Sequence, residues 1–267
     1  MLRTRILTAL VIAALLIPAI FWLDASLWAV LTAVITGIAG WEFARLAGLA
    51  RPLQFAYGVL VGALAVALGC LPAEQLRDAG LILLILSVLF WLGVVPFWLR
   101  ARWAVKAPTT MALVGLLVLL PTWYALFAIR GQGPAWLFGA LLLVALADIA
   151  AYFFGRAFGR RKLAPNISPG KTWEGAYGAM FTVTLLALLT QWVVGGPDLV
   201  RLVALLLVMP LLTLVSIAGD LFESLLKRQA GLKDSSQLLP GHGGVLDRID
   251  SHTAALPLIA LLLTVLA

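Results

Sequence analysis

The side chains whose types and spacing could do chemistry fall in three places, all after residue 140. The first is Asp148, deep in the apolar run LLLVALADIAAYFFGR, with Tyr152, Gly155 and Gly159 following at helical spacing on one face. An ionisable group in such a run is costly, which favours a role in a polar site for Asp148. Tyr152 and the glycines read as helix packing. The second place is Asn166-Ile-Ser168-Pro169-Gly170-Lys171-Thr172-Trp173-Glu174-Gly175, expected to open a helix. A Ser or Thr can cap that helix, its first N–H groups and dipole favour an anion, and Lys171 adds a mobile positive charge. Gly170 allows close approach of a phosphate, although the spacing is not that of a Walker A loop. The third place begins with Asp220, Glu223, Ser224 and Lys227, which stripe one helical face. Glu223 and Lys227 fit an ordinary surface pair, whereas Asp220 has no sequence partner. From Ser224 to Ser251 the chain then runs SLLKRQAGLKDSSQLLPGHGGVLDRIDS. Pro240, Gly241, Gly243 and Gly244 impose a special turn around His242. Asp247 and Asp250 can converge as hard oxygen ligands for Mg²⁺, and Lys227, Arg228, Lys233 and Arg248 supply charge for phosphate oxygens.

Long apolar helices must position these groups. The chain has 267 residues, 63% of them hydrophobic and 12% charged, and its mean hydropathy is +1.07. A soluble domain carries about 25% charged residues, so lipid is the solvent for most of this chain. Runs long enough to span a bilayer are expected at 6–23, 27–46, 55–71, 80–99, 110–129, 134–156, 173–194, 200–224 and 251–267. About nine spans result, with eight as the rival count; the fold class is an all-α polytopic membrane bundle. With the N-terminus cytoplasmic, every Lys and Arg of the 19 except Arg77, Arg130 and Arg201 falls on the inside, Arg3 and Arg5 included. The positive-inside rule expects that bias. It also accounts for the net charge of +7 without nucleic acid as a partner. Cys70, the single cysteine, excludes an intrachain disulfide and reads as a small buried hydrophobe. Trp22, Trp28, Trp41, Trp91, Trp98, Trp103 and Trp192 read as an interfacial belt. The whole of 1–267 is one membrane domain. Residues 1–133, where the acids are only Asp24, Glu42, Glu74 and Asp78, read as scaffold, and 134–267 as the catalytic helices and loops.

The run from Ser224 to Asp250 resembles the signature of the bacterial-type phosphatidate cytidylyltransferases, or CDP-diacylglycerol synthases. The matching features are the Ser-x-x-Lys-Arg start, the Lys-Asp centre, the Pro-Gly-His-Gly-Gly turn and the Asp-Arg-x-Asp end. The Ser168-Pro-Gly-Lys171-Thr172-Trp-Glu174-Gly stretch and Asp148-x-x-Ala-Tyr-Phe-x-Gly-Arg are similar too. The resemblance covers the C-terminal half closely and the N-terminal half by topology.

That resemblance implies CTP and phosphatidate as substrates, a membrane lipid surface as partner, a homodimer and a multi-pass location in the bacterial inner membrane. It implies Mg²⁺ and leaves open a second, monovalent cation. On this reading Asp220 and Asp247 are the first metal ligands expected, with Asp250 and Asp148 behind them. Ser168, Lys171 and Thr172 are expected on the nucleotide phosphates, with Glu174, Lys233 and Asp234 completing the substrate-binding set. Lys227, Arg228 and Arg248 are expected to hold lipid phosphate or transition-state charge, and His242 to order its turn or donate to phosphate. Two other readings compete: a CTP-dependent lipid kinase, and a transporter. The transporter predicts paired broken helices in repeated halves, against the crowding of polar groups at one end.

Overall fold

The structure is a computed structural model that describes residues 2–266, with side chains from 4 to 265. The side chain of Arg3, counted above among the inside charges, therefore lies outside the described residues. The helices are α1 (Leu2–Trp22), α2 (Ala25–Leu46), α3 (Arg51–Gly69), α4 (Ala73–Leu89), α5 (Val95–Ala101), α6 (Pro108–Gly131), α7 (Pro134–Phe158), α8 (Trp173–Thr190), α9 (Leu199–Gln229) and α10 (Leu246–Leu266). A π turn, Phe90–Val94, joins α4 to α5 as one continuous rod, and a second one, Gln191–Gly195, extends α8. Among the described residues nine helical segments are long and apolar enough to cross a membrane. The chain is an all-α, multi-pass membrane protein.

The ends of these segments follow local chemistry. Asp24 accepts from the N–H groups of Ser26 and Leu27 and starts α2; Asp198 does the same for α9 through Val200 and Arg201. Prolines in the first turn start α3, α6 and α7, where a missing N–H costs nothing. The fourth segment runs Ala73–Ala101, against the expected 80–99, because Glu74, Arg77 and Asp78 lower hydropathy without breaking the helix. The last segment begins at Leu246 rather than 251, so Asp247, Arg248 and Asp250 lie on its first turns instead of in a loop. Residues 168–172 lead into a helix as expected, but as a strand. They form β2 (Ser168–Thr172), paired antiparallel with β1 (Lys162–Ala164), and the helix starts at Trp173.

Side-chain burial corrects two expectations. Trp28, Trp91 and Trp98 are core residues rather than members of a belt, whereas Trp22, Trp103 and Trp192 are exposed. Phe90, Trp91 and Trp98 meet Phe222 of α9 edge to face, which fixes the back of that helix. Trp28 lies under the Arg130 guanidinium, which also donates to the carbonyls of Ile20 and Leu23 at the end of α1. Cys70 is exposed at the end of α3, not buried.

One end of the bundle is tied together by polar contacts. Thr8 donates to the carbonyl of Pro240, Arg45 to that of Ser235, and Gln229 to that of Trp103. The start of α1 and the loops after the second, fourth and eighth segments thus share one end. Lys171, from the loop after the sixth, joins them through Asp220.

Candidate functional site

α9 has 31 residues, roughly 46 Å at about 1.5 Å per residue, while a hydrocarbon core is about 30 Å thick. Counted from Leu199, about 20 residues cross the core, so Asp220 stands where the helix emerges. One helical face then carries Asp220, Glu223, Ser224 and Lys227. The Ser224 hydroxyl donates to Asp220 Oδ1 at 3.1 Å, and Lys171 Nζ lies 2.5 Å from Asp220 Oδ2. Lys227 Nζ sits 3.0 Å from Glu223 Oε1 and donates to Asp247 Oδ1 at 2.6 Å. The expected surface pair is in fact buried: the side chains of Lys227 and Glu223 are only 12% and 6% exposed. Contact between Glu223 Oε1 and Lys227 falls outside hydrogen-bond geometry, and Oε2 has no hydrogen-bond partner among the described residues.

The segment 230–245 wraps back to place α10 beside this face. Gly241 and Gly243 adopt φ of +76° and +83°, which only glycine takes without strain. A Cβ on Gly243 would stand 2.7 Å from Asp247 Oδ2, so the turn needs glycine there twice over. The His242 N–H donates to Leu239 O, and Leu239 N to Gly243 O, closing the turn. The imidazole Nδ1 of His242 is buried without a partner among the described residues. Asp247 Oδ2 accepts three hydrogen bonds, from Ser235 N (2.8 Å), Ser235 Oγ (2.9 Å) and Gly244 N (2.8 Å). Among the described residues its Oδ1 has only Lys227, leaving one lone pair uncommitted. Gly219 lets α9 and α10 approach closely: a Cβ there would be 2.7 Å from the carbonyl oxygen of Asp250. The backbone of Asp250 therefore packs against α9 next to Asp220, and Ser251 Oγ makes a long contact with Asp148 of α7 at 3.4 Å.

Asp148, Lys171, Asp220, Lys227, Asp247, Arg248 and Asp250 thus share one neighbourhood, drawn from four elements. Others expected in the site have different company. Thr172 is buried and spends its hydroxyl oxygen on the Gly175 N–H as the cap of α8. Glu174 accepts from the N–H groups of Arg160 and Arg161, holding the entry to the hairpin. Ser168 is half-buried on β2, and Arg228, Lys233 and Asp234 are exposed around the rim. Among the described residues no three acid, His or Cys side chains converge ready to hold an ion.

Sequence reading missed Glu42. It belongs to the supposed scaffold, yet is fully buried against the 235–246 segment. Its Oε1 accepts from Ser236 Oγ (2.5 Å) and Val245 N (3.0 Å), its Oε2 from Leu246 N (2.6 Å) and Ser235 Oγ (3.2 Å). The only signal available was an acid three residues before Arg45 in an otherwise apolar run.

Comparison with known proteins covers the same ground from end to end. The sequence profile of the cytidylyltransferase family matches residues 3–266. A phosphatidate cytidylyltransferase of Pseudomonas aeruginosa is 43% identical over 98% of this chain and 97% of its own. One of Haemophilus influenzae is 35% identical over 96% of each. One of Brucella suis is 48% identical over 51% of each.

Proposed function

The chain belongs to the cytidylyltransferase family, and from that premise we propose that it transfers CMP from CTP to phosphatidate. A phosphatidate oxygen attacks the α-phosphorus of CTP, the bond between that phosphorus and the oxygen bridging to the β-phosphate breaks, and CDP-diacylglycerol and pyrophosphate leave. The observation that carries this reading is identity of 43% along almost the entire chain to a phosphatidate cytidylyltransferase. The site's chemistry supports it. A phosphate monoester has a second pKa of about 6, so the nucleophile is already ionised and needs no strong base. Its difficulty is repulsion between two anions, which fixed cations relieve.

The residues suit a divalent cation. The carboxylates of Asp148, Asp220, Glu223, Asp247 and Asp250 gather near Lys171, Lys227 and Arg248, and a divalent ion among them would relieve the repulsion between the acids. The donors are hard oxygens, and Glu223 carries a buried oxygen without a hydrogen-bond partner among the described residues. Asp220 and the uncommitted lone pair of Asp247 Oδ1 would hold Mg²⁺, with Asp250 and Asp148 beside them. When bound, Mg²⁺ draws charge from phosphate oxygens and helps orient the in-line attack. Lys171 and Lys227 stand on Asp220 and Asp247, and each is a flexible ammonium that can turn from carboxylate to phosphate. Lys171 would meet the nucleotide phosphates, with Ser168 beside it. Lys227, Arg228 and Arg248 would meet lipid phosphate and developing charge. His242 would order its turn, and Lys233 would add charge at the rim, with Asp234 beside it.

The polar end carries the basic loops, and that bias supports a cytoplasmic position for it and for the N-terminus, in a bacterial inner membrane. There it meets CTP from the water and phosphatidate from the leaflet, and two copies of the chain would work as a dimer. The test is turnover by the purified protein in lipid, with labelled CTP and phosphatidate, with and without Mg²⁺. CDP-lipid and pyrophosphate that vanish on chelation support the proposal. CDP with a phosphorylated lipid would instead identify a kinase.

A further inference from the structure

We infer that Glu42, on α2 in the N-terminal half, is a positioning residue for the reaction: it fixes the Ser235–Ser236 loop and the start of α10, and through Ser235 holds Asp247 in place. The inference rests on the proposed role of Asp247, but the contacts that motivate it do not. Glu42 is fully buried and has no lysine, arginine or histidine within ion-pair distance among the described residues. Burial of a lone carboxylate is expensive unless its charge is met by hydrogen bonds. Here two backbone N–H groups and the Ser236 hydroxyl meet it, with the single Ser235 hydroxyl proton shared between Glu42 and Asp247, and the N–H groups of Val245 and Leu246 belong to the start of α10. Those amides are among the four that a helix cannot satisfy itself. They sit at the positive end of its dipole. Glu42 therefore caps α10 from another helix, because the sequence before Leu246 is Gly243-Gly244-Val245 and offers no capping side chain of its own.

The same loop is shared with Asp247. The Ser235 hydroxyl lies within hydrogen-bond distance of both Glu42 Oε2 and Asp247 Oδ2, and the Ser235 N–H also donates to Asp247. Arg45, one turn further along α2, donates to the carbonyl of Ser235 at 2.7 Å, so the loop is gripped on both its faces. Gly244 sits in the cradle between Glu42 and Ser235, where any Cβ would strike both. With Oδ2 held this way, Asp247 presents Oδ1 toward Lys227 and the acids of α9. Loss of the grip frees the carboxylate to rotate.

An amide cannot replace Glu42. Each of its oxygens accepts from one backbone N–H, so whichever way a glutamine turned, its NH2 group would confront the N–H of Val245 or Leu246. Glu42→Gln is expected to lower kcat by about 10- to 100-fold, the usual effect of removing a partner that orients a ligand, with KM for CTP changed by less than about threefold. Ser235→Ala, a gentler change that keeps the backbone donor, is expected to lower kcat in the same direction. The double variant is expected to be no slower than Glu42→Gln alone, since both act through one connection. Hydrogen–deuterium exchange on the substrate-free protein in detergent should show faster exchange over 235–246 in Glu42→Gln and unchanged exchange in α3. That measurement needs no turnover, so it stands even if the proposed reaction is wrong. The inference is overturned by kcat within twofold of wild type in Glu42→Gln, by losses that multiply in the double variant, or by unaltered exchange over 235–246. If Glu42→Gln does not fold, kcat of Ser235→Ala decides alone, and a wild-type value overturns it.

Discussion

Gly219→Ala is the smallest change that should damage the site without touching any of its charges. A Cβ at this position would meet the Asp250 carbonyl oxygen at 2.7 Å, Ala254 Cβ at 2.9 Å and Ser251 Cα at 3.4 Å. Ordinary contacts between such atoms begin near about 3.5 Å, so α9 and α10 would have to part by about 0.8 Å. None of these neighbours is the tip of a flexible side chain, and backbone cannot swing aside as a rotamer does. Overpacking of this kind costs about 1–3 kcal/mol of stability. Its larger effect is on geometry, because Asp220 follows Gly219 on one helix and the backbone of Asp250 packs against Gly219 from the other. A displacement of about 1 Å can cost a hundredfold in rate, so a loss between about tenfold and a hundredfold in kcat is expected. The assay is turnover of labelled CTP beside a thermal melt in the same detergent. Gly139→Ala on α7 serves as the control: nothing lies within 4 Å of its Cβ, and a helix interior gains up to about 1 kcal/mol from the change. Wild-type turnover by Gly219→Ala, whether or not it melts lower, would refute the link between helix spacing and the alignment of the acids.

Two further substitutions probe the charges themselves. Lys227→Met strips the ammonium from buried Glu223 and Asp247 and should cost about 3–5 kcal/mol, seen as a lower melting temperature, with Glu223→Gln in the same chain recovering part of it. An unchanged melt would mean that Lys227 does not neutralise this pair. Asp220→Asn should leave the protein inserted and folded, since the residue is only half-buried, yet reduce Mg²⁺-dependent turnover by more than about a hundredfold. Robust activity in that variant removes Asp220 from the proposed site.

The spans and the polar face of α9 were legible because both obey short periods. Twenty apolar residues mark a span, and Asp220, Ser224 and Lys227 recur at helical intervals. The first turns of α10 were not, because Asp247, Arg248 and Asp250 depress hydropathy at the point where the helix begins. The hairpin at 162–172 was hidden for another reason: its strands of 3 and 5 residues, one with a proline and a glycine, are too short to show alternation. Glu223 misled most. A glutamate four residues before a lysine reads as a solvated pair, and only the packing of Phe222 beneath Phe90, Trp91 and Trp98 fixes how α9 is turned in the bundle.

The same limit explains why the N-terminal half looked inert. Glu42 lies 193 residues from Ser235 in the chain, and no local pattern connects them. The need for such a residue could nevertheless be argued in reverse. A turn built from Pro240, Gly241, Gly243 and Gly244 has the freedom to place Asp247, but it brings no side chain to satisfy the first amides of α10. In water those amides would be solvated; packed beneath a loop inside a membrane bundle they must find a protein acceptor. A glycine-rich turn that delivers a buried helix start therefore calls for an acid from elsewhere in the fold. Glu42 is the acid that answers, and it makes α2 as much a part of the site as the signature it supports.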